Sequence, residues 1–196
     1  MTAAPFRLCV YCGSRPGSDP AFMRSARQMG TAIGRRGWHL VYGGGRVGLM
    51  GALADAALAA GAAVDGVIPQ SLMQREVGHH RLTRLQVVDT MHERKRLMSE
   101  HCNAFIALPG GIGTFEELFE VWSWRHLGYH QRPIGLLDVG GYFQPLLSMV
   151  RQAEENGFVT ADQLAMITLR ESPEDLLDEI AALAASPAAA DDLRRI

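Results

Sequence analysis

The sequence contains almost no lysine. Lys95 is the single lysine among 19 basic residues, and the other 18 are arginines. The 21 acidic residues balance these cations, so the chain lacks the basic excess that nucleic-acid-binding proteins use. A pyridoxal phosphate enzyme needs a Schiff-base lysine, and for this chemistry the sequence offers one candidate.

Cysteines are few, and long apolar runs are absent. No run approaches the ~20 residues of a membrane-spanning helix, and residues 1–12 lack the pattern of a signal peptide. An odd number of cysteines, Cys9, Cys12 and Cys102, favours a reducing compartment, so we expect a cytoplasmic protein. Cys9 and Cys12 lie in a β-rich run, where residues three apart point to opposite faces of the strand. We therefore expect two buried thiols rather than a disulfide or a zinc-binding pair. No spacing of His, Cys or Asp is typical of a metal site.

The order of the remaining residues predicts one α/β domain. A length of 196 residues suffices for one such domain but is short for two. Strand-like and helix-like blocks alternate, which predicts a Rossmann-like doubly wound parallel sheet of about seven strands with helices on both faces. The domain is expected over residues 1–185, with a flexible tail over 186–196. Strands are expected at 6–12, 38–42, 63–68, 82–88, 104–108, 134–139 and 166–169, and helices at 20–36, 47–60, 90–101, 114–127, 142–156 and 173–185.

A first glycine-rich loop, residues 43–48, reads G-x-G-x-x-G between a strand and a helix. Glycines in this position let backbone N–H groups approach a phosphate. The motif alone is a weak signal, because it follows the second strand and the nearest acid, Asp65, falls inside a strand. The alternative is that these glycines only permit a tight turn.

A second glycine-rich loop, residues 109–117, is the strongest feature and ends in two carboxylates. Two such loops in one small sheet indicate a site for a phosphorylated ligand. Thr114 and Glu117 also fit a capping box, in which Glu117 would only secure the start of the helix. Since Glu116 and Glu117 face different ways, one can cap while the other enters the cleft.

The helix expected after the fourth strand carries two adjacent cations. Met91, Arg94, Lys95 and Met98 share one face at helical spacing. A core-facing stripe should hold two cations only if they meet an anion, and the first turn lies at the ligand end of the sheet. The alternative is a solvated basic turn. By the same elementary reasoning, Glu76 would be a surface acid.

Three segments of the chain resemble one known family. They are Tyr42-Gly-Gly-Gly-Arg-Val-Gly-Leu-Met-Gly51, Met91-His-x-Arg-Lys95 and Pro109-Gly-Gly-x-Gly-Thr-x-x-Glu117. These are similar to motifs of the Lonely Guy family, the cytokinin riboside 5′-monophosphate phosphoribohydrolases once described as lysine decarboxylases. The resemblance extends from about Phe6 to Leu177, which is nearly the whole chain.

The resemblance implies a homodimeric Rossmann-like enzyme without metal or organic cofactor. It implies hydrolysis of the N-glycosidic bond of nucleoside 5′-monophosphates, namely N6-prenylated adenosine monophosphates and often AMP, to the free base and ribose 5-phosphate. It assigns Arg94 and Glu117 as the catalytic pair. Ser123 stands where many plant members carry threonine. The substrate-binding positions it implies are Ser14, Gly44, Gly45, Glu76, Lys95, Gly110, Gly111, Ile112, Gly113, Thr114, Phe115, Glu116 and Ser123.

The chemistry of the residues agrees with this reaction. A carboxylate near C1′ stabilises the positive charge that builds on the ribose, which suits Glu117, and Arg94 can hold the phosphate or assist the purine. A lysine decarboxylase is disfavoured, because Lys95 lies in a cationic cluster suited to phosphate. The alternative from another class is a non-catalytic nucleotide or molybdenum-cofactor carrier of the same fold. Four side chains could enclose a prenyl tail or belong instead to the core or to an interface: Met73, Met98, Trp122 and Trp124.

Overall fold

A computed structural model of the chain describes residues 4–73, 76–100 and 102–185. The strands are β1 (Arg7–Tyr11), β2 (His39–Tyr42), β3 (Val64–Pro69), β4 (Arg84–Val88), β5 (Ala104–Ala107), β6 (Ile134–Leu137) and β7 (Ile167–Arg170). They form one parallel sheet in the order β4-β3-β2-β1-β5-β6-β7. The expected topology is therefore confirmed, and the strand order reverses between β1 and β5.

Helices cover both faces of this sheet. They are α1 (Pro20–Arg35), α2 (Gly48–Ala59), α3 (Met91–Glu100), α4 (Ile112–His126), α5 (Gln144–Glu155), α6 (Ala161–Leu164) and α7 (Pro173–Ala184). One buried cluster joins the sheet to α1, α2 and α7, and a second joins it to α3, α4 and α5. These six helices bury apolar side chains in the two clusters, which is the arrangement predicted for a doubly wound fold.

The strand alternation also separates Cys9 from Cys12. Cys9 belongs to the cluster under α3, α4 and α5, and Cys12 to the cluster on the opposite face. Both thiols are buried and free, as is Cys102. The prediction of buried thiols is confirmed.

Two local features differ from the sequence expectation. The four-residue helix α6 was not predicted, because little more than one turn is too short to show a repeating amphipathic pattern. Thr160 and Gln163 fix this helix through a capping box. Helix α4 begins at Ile112, ahead of the expected residue 114, with Gly111 as its N-cap. The predicted tail, 186–196, lies outside the described residues.

The loops that follow β1 and β5 meet at the point where the strand order reverses. The Gly13 N–H donates to the Pro109 carbonyl at 3.1 Å, and the Leu49 N–H donates to the Gly13 carbonyl at 3.0 Å. These bonds join the two loops to the start of α2 at the carboxyl edge of the sheet, where such folds bind ligands. None of the helices in the described ranges has the length and apolar character needed to cross a membrane.

Candidate active site

A cavity of about 560 Å³ opens at this edge, between the loops after β1 and β5. Its size is that of a small-molecule site, and its wall mixes glycine backbone, apolar side chains and a few charged groups. The residues lining it are Val10, Tyr11, Cys12, Gly13, Ser14, Arg15, Gly17, Phe22, Gly43, Leu49, Met50, Glu76, Arg94, Met98, Pro109, Gly110, Gly111, Ile112, Gly113, Thr114, Glu117 and Tyr142.

Arg94 is buried in the floor of the cavity and is held by backbone carbonyls. Its Nε donates to the Val67 carbonyl at 3.2 Å, and its Nη2 donates to the Gly43 carbonyl at 3.0 Å. Glu76 adds an anion, with Oε2 3.6 Å from Nη2. The planar guanidinium, which stays charged, is thereby fixed in one orientation. The predicted anion for this cation is thus Glu76, which elementary reasoning had assigned to the surface.

Gly43 makes room for this arrangement. A Cβ at residue 43 would lie 2.1 Å from Arg94 Nη2, which no side chain could tolerate without displacing the guanidinium. The absence of a side chain at Gly43 is therefore a requirement of the Arg94 site rather than of a turn.

Glu117 lies buried on the first two turns of α4, facing the same cavity. Burial raises the pKa of its carboxyl from 4.5 to about 7; Arg94 opposes this shift, while Glu116 and Glu76 add to it. Among the described residues, no side chain or backbone group hydrogen-bonds to this carboxyl. The capping-box alternative is wrong, because α4 starts at Ile112 and Thr114 is already inside the helix.

The start of α4 presents backbone donors to the cavity. Gly111 caps the helix without a side-chain bond, and the first helical hydrogen bond runs from the Phe115 N–H to the Gly111 carbonyl at 3.1 Å. Within the described part of the chain, nothing accepts a hydrogen bond from the N–H groups of residues 111–114. Free amides at a helix N-terminus, with the partial positive charge of the helix, favour an anion.

The first glycine-rich loop has a different role. The start of α2 has its amides occupied, since Leu49 and Met50 both donate to the Gly13 carbonyl. Gly44 and Gly45 lie behind the cavity wall. The Gly44 carbonyl accepts from the His79 N–H at 2.9 Å, and the Gly45 carbonyl accepts from the Tyr42 hydroxyl at 3.1 Å. These two glycines support the wall rather than line it.

Lys95 and Glu116 also lie outside the cavity. The Lys95 ammonium donates to Glu116 Oε1 at 2.6 Å and to Glu120 Oε1 at 2.7 Å. Partial burial lowers the pKa of Lys95, but these two bonds outweigh it and leave the pKa raised. We call Lys95, Glu116 and Glu120 the outer cluster, and Arg94, Glu76 and Glu117 the inner cluster.

The remaining sequence candidates divide in the same way. Ser14, Gly110, Gly111, Ile112, Gly113 and Thr114 line the cavity; Phe115 and Ser123 do not. Among the candidates for a prenyl contact, only Met98 lines it. Trp122 donates its indole N–H to the Gln163 carbonyl at 2.9 Å, Trp124 lies beside the outer cluster, and Met73 packs against Gly78.

Several lining side chains were not predicted, among them Arg15, Phe22 and Tyr142. Arg15 had a usable signal, since it stands in the loop just after β1 at the reversal of strand order. Tyr142 had none, because it reaches the cavity from the loop after β6. In the described residues, no group of three His, Cys, Asp or Glu side chains could hold a metal ion.

Comparison with known proteins identifies relatives over most of the chain. A family model described as "Possible lysine decarboxylase" matches residues 50–180. The chain is 52% identical over 157 residues to the cytokinin riboside 5′-monophosphate phosphoribohydrolase of Rhodococcoides fascians, covering 80% of this chain and 79% of that protein. It is 43% identical over 174 residues to a protein of the same name from Arabidopsis thaliana, covering 89% and 82%.

A solved structure shares the fold at much lower identity. The molybdenum cofactor binding protein of Rippkaea orientalis superposes with a TM-score of 0.68 at 22% identity, over 93% of this chain and 99% of that one. At this identity the likeness concerns the fold alone.

Proposed function

This chain belongs to the Lonely Guy family, and from that premise we propose that it hydrolyses the N-glycosidic bond of adenosine 5′-monophosphates, including N6-modified ones. Water adds its hydroxyl to C1′ of the ribose, and the base leaves with a proton. The products are the free base and ribose 5-phosphate. The observation that carries the proposal is that buried Glu117 and buried Arg94 line one cavity, beside a helix N-terminus whose amides are free.

Glu117 is the proposed catalytic carboxylate. Breaking the bond builds positive charge on the ribose ring, which a carboxylate beside C1′ stabilises, as in glycosidases. A pKa of about 7 leaves roughly half of the Glu117 carboxyls ionised at neutral pH. The ionised form can take a proton from the attacking water.

Arg94 is the proposed electrophilic partner. Its Nε and Nη2 donate to the Val67 and Gly43 carbonyls, and its Nη1 donates to Met91 Sδ at 3.9 Å. A fixed guanidinium next to Glu117 stabilises the negative charge that develops on the departing purine. The same cation lowers the pKa of Glu117 and so keeps part of it ionised.

The phosphate is proposed to bind at the start of α4. The amides of residues 111–114 supply backbone donors, and Ser14 and Arg15 face them from the loop after β1. Binding the phosphate at a fixed point places C1′ beside Glu117, which converts remote binding energy into orientation.

The alternatives predict other site chemistry. A lysine decarboxylase would need Lys95 as a Schiff-base residue, and its ammonium is paired with two carboxylates outside the cavity. A cofactor carrier would use the glycine loops but would not need a carboxyl with a raised pKa next to an arginine. The family also leads us to propose a cytoplasmic homodimer, which light scattering of the purified protein would test.

The proposed function is tested by the bases released from a panel of nucleotides. AMP, an N6-prenylated AMP, GMP, CMP and adenosine are incubated with the enzyme, and free base and ribose 5-phosphate are separated by chromatography. We expect equal amounts of base and ribose 5-phosphate from the adenosine monophosphates, and loss of release in Arg94→Ala. If no nucleotide yields free base, the hydrolase proposal is wrong and the carrier alternative is favoured.

A further inference from the structure

We infer that Tyr142 is a positioning residue for the phosphate monoester of the substrate. Its hydroxyl donates to the Gly110 carbonyl, and this bond keeps the Thr114 amide available to the phosphate. The inference rests on the proposed function for the identity of the ligand. It adds a residue that no sequence motif of the chain contains.

The Tyr142 hydroxyl is held in place by its ring. The ring packs edge-on against Phe22, with centroids 5.6 Å apart, and stacks on Phe115 at 6.3 Å. The loop that carries Tyr142 is itself fixed, because the Phe143 N–H donates to Asp138 Oδ1 at 2.8 Å. Tyr142 therefore reaches the second glycine-rich loop from a separate part of the chain with little freedom.

The Gly110 carbonyl has a particular place in the helix register. Gly110 lies four residues before Thr114, so a helix that began one residue earlier would use the Gly110 carbonyl as the acceptor for the Thr114 N–H. That bond does not form in the described structure, where the first helical bond ends on the Gly111 carbonyl. Tyr142 donates to the Gly110 carbonyl instead, which uses one of the two lone pairs of that oxygen and holds the peptide group in place.

The neighbouring carbonyl is occupied in a similar way. The Pro109 carbonyl accepts the Gly13 N–H at 3.1 Å, so two successive carbonyls of this loop are engaged by groups outside α4. These two bonds hold the Gly110 peptide in place, so α4 starts at Ile112 and the Thr114 N–H makes no helical bond to the Gly110 carbonyl. The Thr114 amide then adds one donor to those of Gly111, Ile112 and Gly113 for binding an anion.

The test is the variant Tyr142→Phe, which keeps the ring and removes the donor. Hydrogen bonds to charged groups are among the stronger ones, and losing one weakens binding by about 10-fold. We expect KM for AMP and the dissociation constant for ribose 5-phosphate each to rise by about 10-fold. We expect kcat to change by less than about 3-fold, and inhibition by free adenine to stay unchanged.

Tyr42→Phe is the matched control. It also removes a tyrosine hydroxyl from a glycine carbonyl, that of Gly45, but in the loop whose glycines lie behind the cavity wall. Its dissociation constant for ribose 5-phosphate should equal that of the unmodified protein. A general loss of packing would instead weaken adenine and ribose 5-phosphate alike.

The inference is overturned if Tyr142→Phe binds ribose 5-phosphate with unchanged affinity, or if adenine binding weakens equally. Should that variant not fold, Asp138→Ala tests the same point, because it removes the acceptor of the Phe143 N–H and so loosens the Tyr142 loop. It should raise the dissociation constant for ribose 5-phosphate and leave that for adenine unchanged; an unchanged ratio of the two constants also overturns the inference. Failure of the proposed function gives a different result, because unmodified protein would then release no base at all.

Discussion

The inner and outer clusters are built from adjacent residues and yet have opposite characters. Arg94 and Lys95 follow one another on α3, and Glu116 and Glu117 follow one another on α4. Successive residues on a helix point about 100° apart. Each helix therefore sends one charged group into the cavity and the next one to the outside.

The two clusters differ in how their charges are balanced. In the outer cluster, one ammonium faces two carboxylates at hydrogen-bond distance, and half of the Glu116 side chain is exposed to water. In the inner cluster, the Glu117 carboxyl is buried without a hydrogen-bond partner among the described residues, and its pKa rises to about 7. A carboxyl whose pKa is raised by burial next to a fixed cation is typical of a catalytic site, whereas a network in which each charge has a partner is not.

The largest expected effect is a difference in activity between variants of Glu117 and of Glu116. Glu117→Gln should lower kcat/KM for AMP by about 1,000-fold, since it removes the carboxylate proposed to act at C1′. Glu116→Gln should lower it by less than about 5-fold, because that carboxylate lies outside the cavity. Steady-state base release by both variants measures the ratio. Unchanged activity in Glu117→Gln together with a large loss in Glu116→Gln would move the catalytic role to Glu116.

The next effect is a gain in stability that depends on pH. The folded protein holds the Glu117 proton up to pH about 7, whereas the unfolded chain releases it near 4.5, so stability falls as pH rises through this window. Glu117→Gln removes this loss and should be more stable than the unmodified protein by up to about 3 kcal/mol at pH 8.

Urea denaturation at pH 4, 6 and 8 measures this difference. The difference in unfolding free energy should be small at pH 4, because Glu117 is then largely protonated in both the folded and the unfolded protein. It should grow towards pH 8. Glu116→Gln serves as the control, and its difference in unfolding free energy from the unmodified protein should not rise between pH 4 and 8. A constant difference for Glu117→Gln would mean that its carboxyl titrates normally.

The smallest expected effect belongs to the outer cluster. Lys95→Met should lower the free energy of unfolding by about 1 kcal/mol or less, and 1 M salt should reduce the effect. Base release should stay within about 3-fold of the unmodified protein. A large rise in KM would show that Lys95 leaves its two carboxylates for the substrate, which is the role that the family resemblance implies.

The sequence predicted the sheet, all helices except α6 and part of the cavity wall. Alternating apolar blocks determine a doubly wound fold, and such a fold places the loops after β1 and β5 together. The motif residues Arg94 and Glu117 were predicted as a pair and lie in one cavity. The choice between Glu116 and Glu117 could not be made from the sequence, because the start of α4 at Ile112 sets which of them faces inwards.

The two glycine-rich loops show that a similar sequence motif does not determine which loop has free amides. Both carry several glycines between a strand and a helix, and local sequence gives them the same interpretation. In the structure, the amides at the start of α2 donate to Gly13, while those at the start of α4 have no acceptor in the described residues. Which loop keeps free amides depends on the neighbouring chain.

The sequence by itself determined the fold class, the carboxyl edge at which ligands bind and the residue types available there, because these follow from periodicity and chain order. Tertiary structure alone decided the burial that raises the pKa of Glu117, the carbonyl cradle of Arg94, the outward pairing of Lys95 and the arrival of Tyr142 from beyond β6. The physical reason is that desolvation and hydrogen bonding depend on residues distant in sequence, which come together only when the sheet has formed.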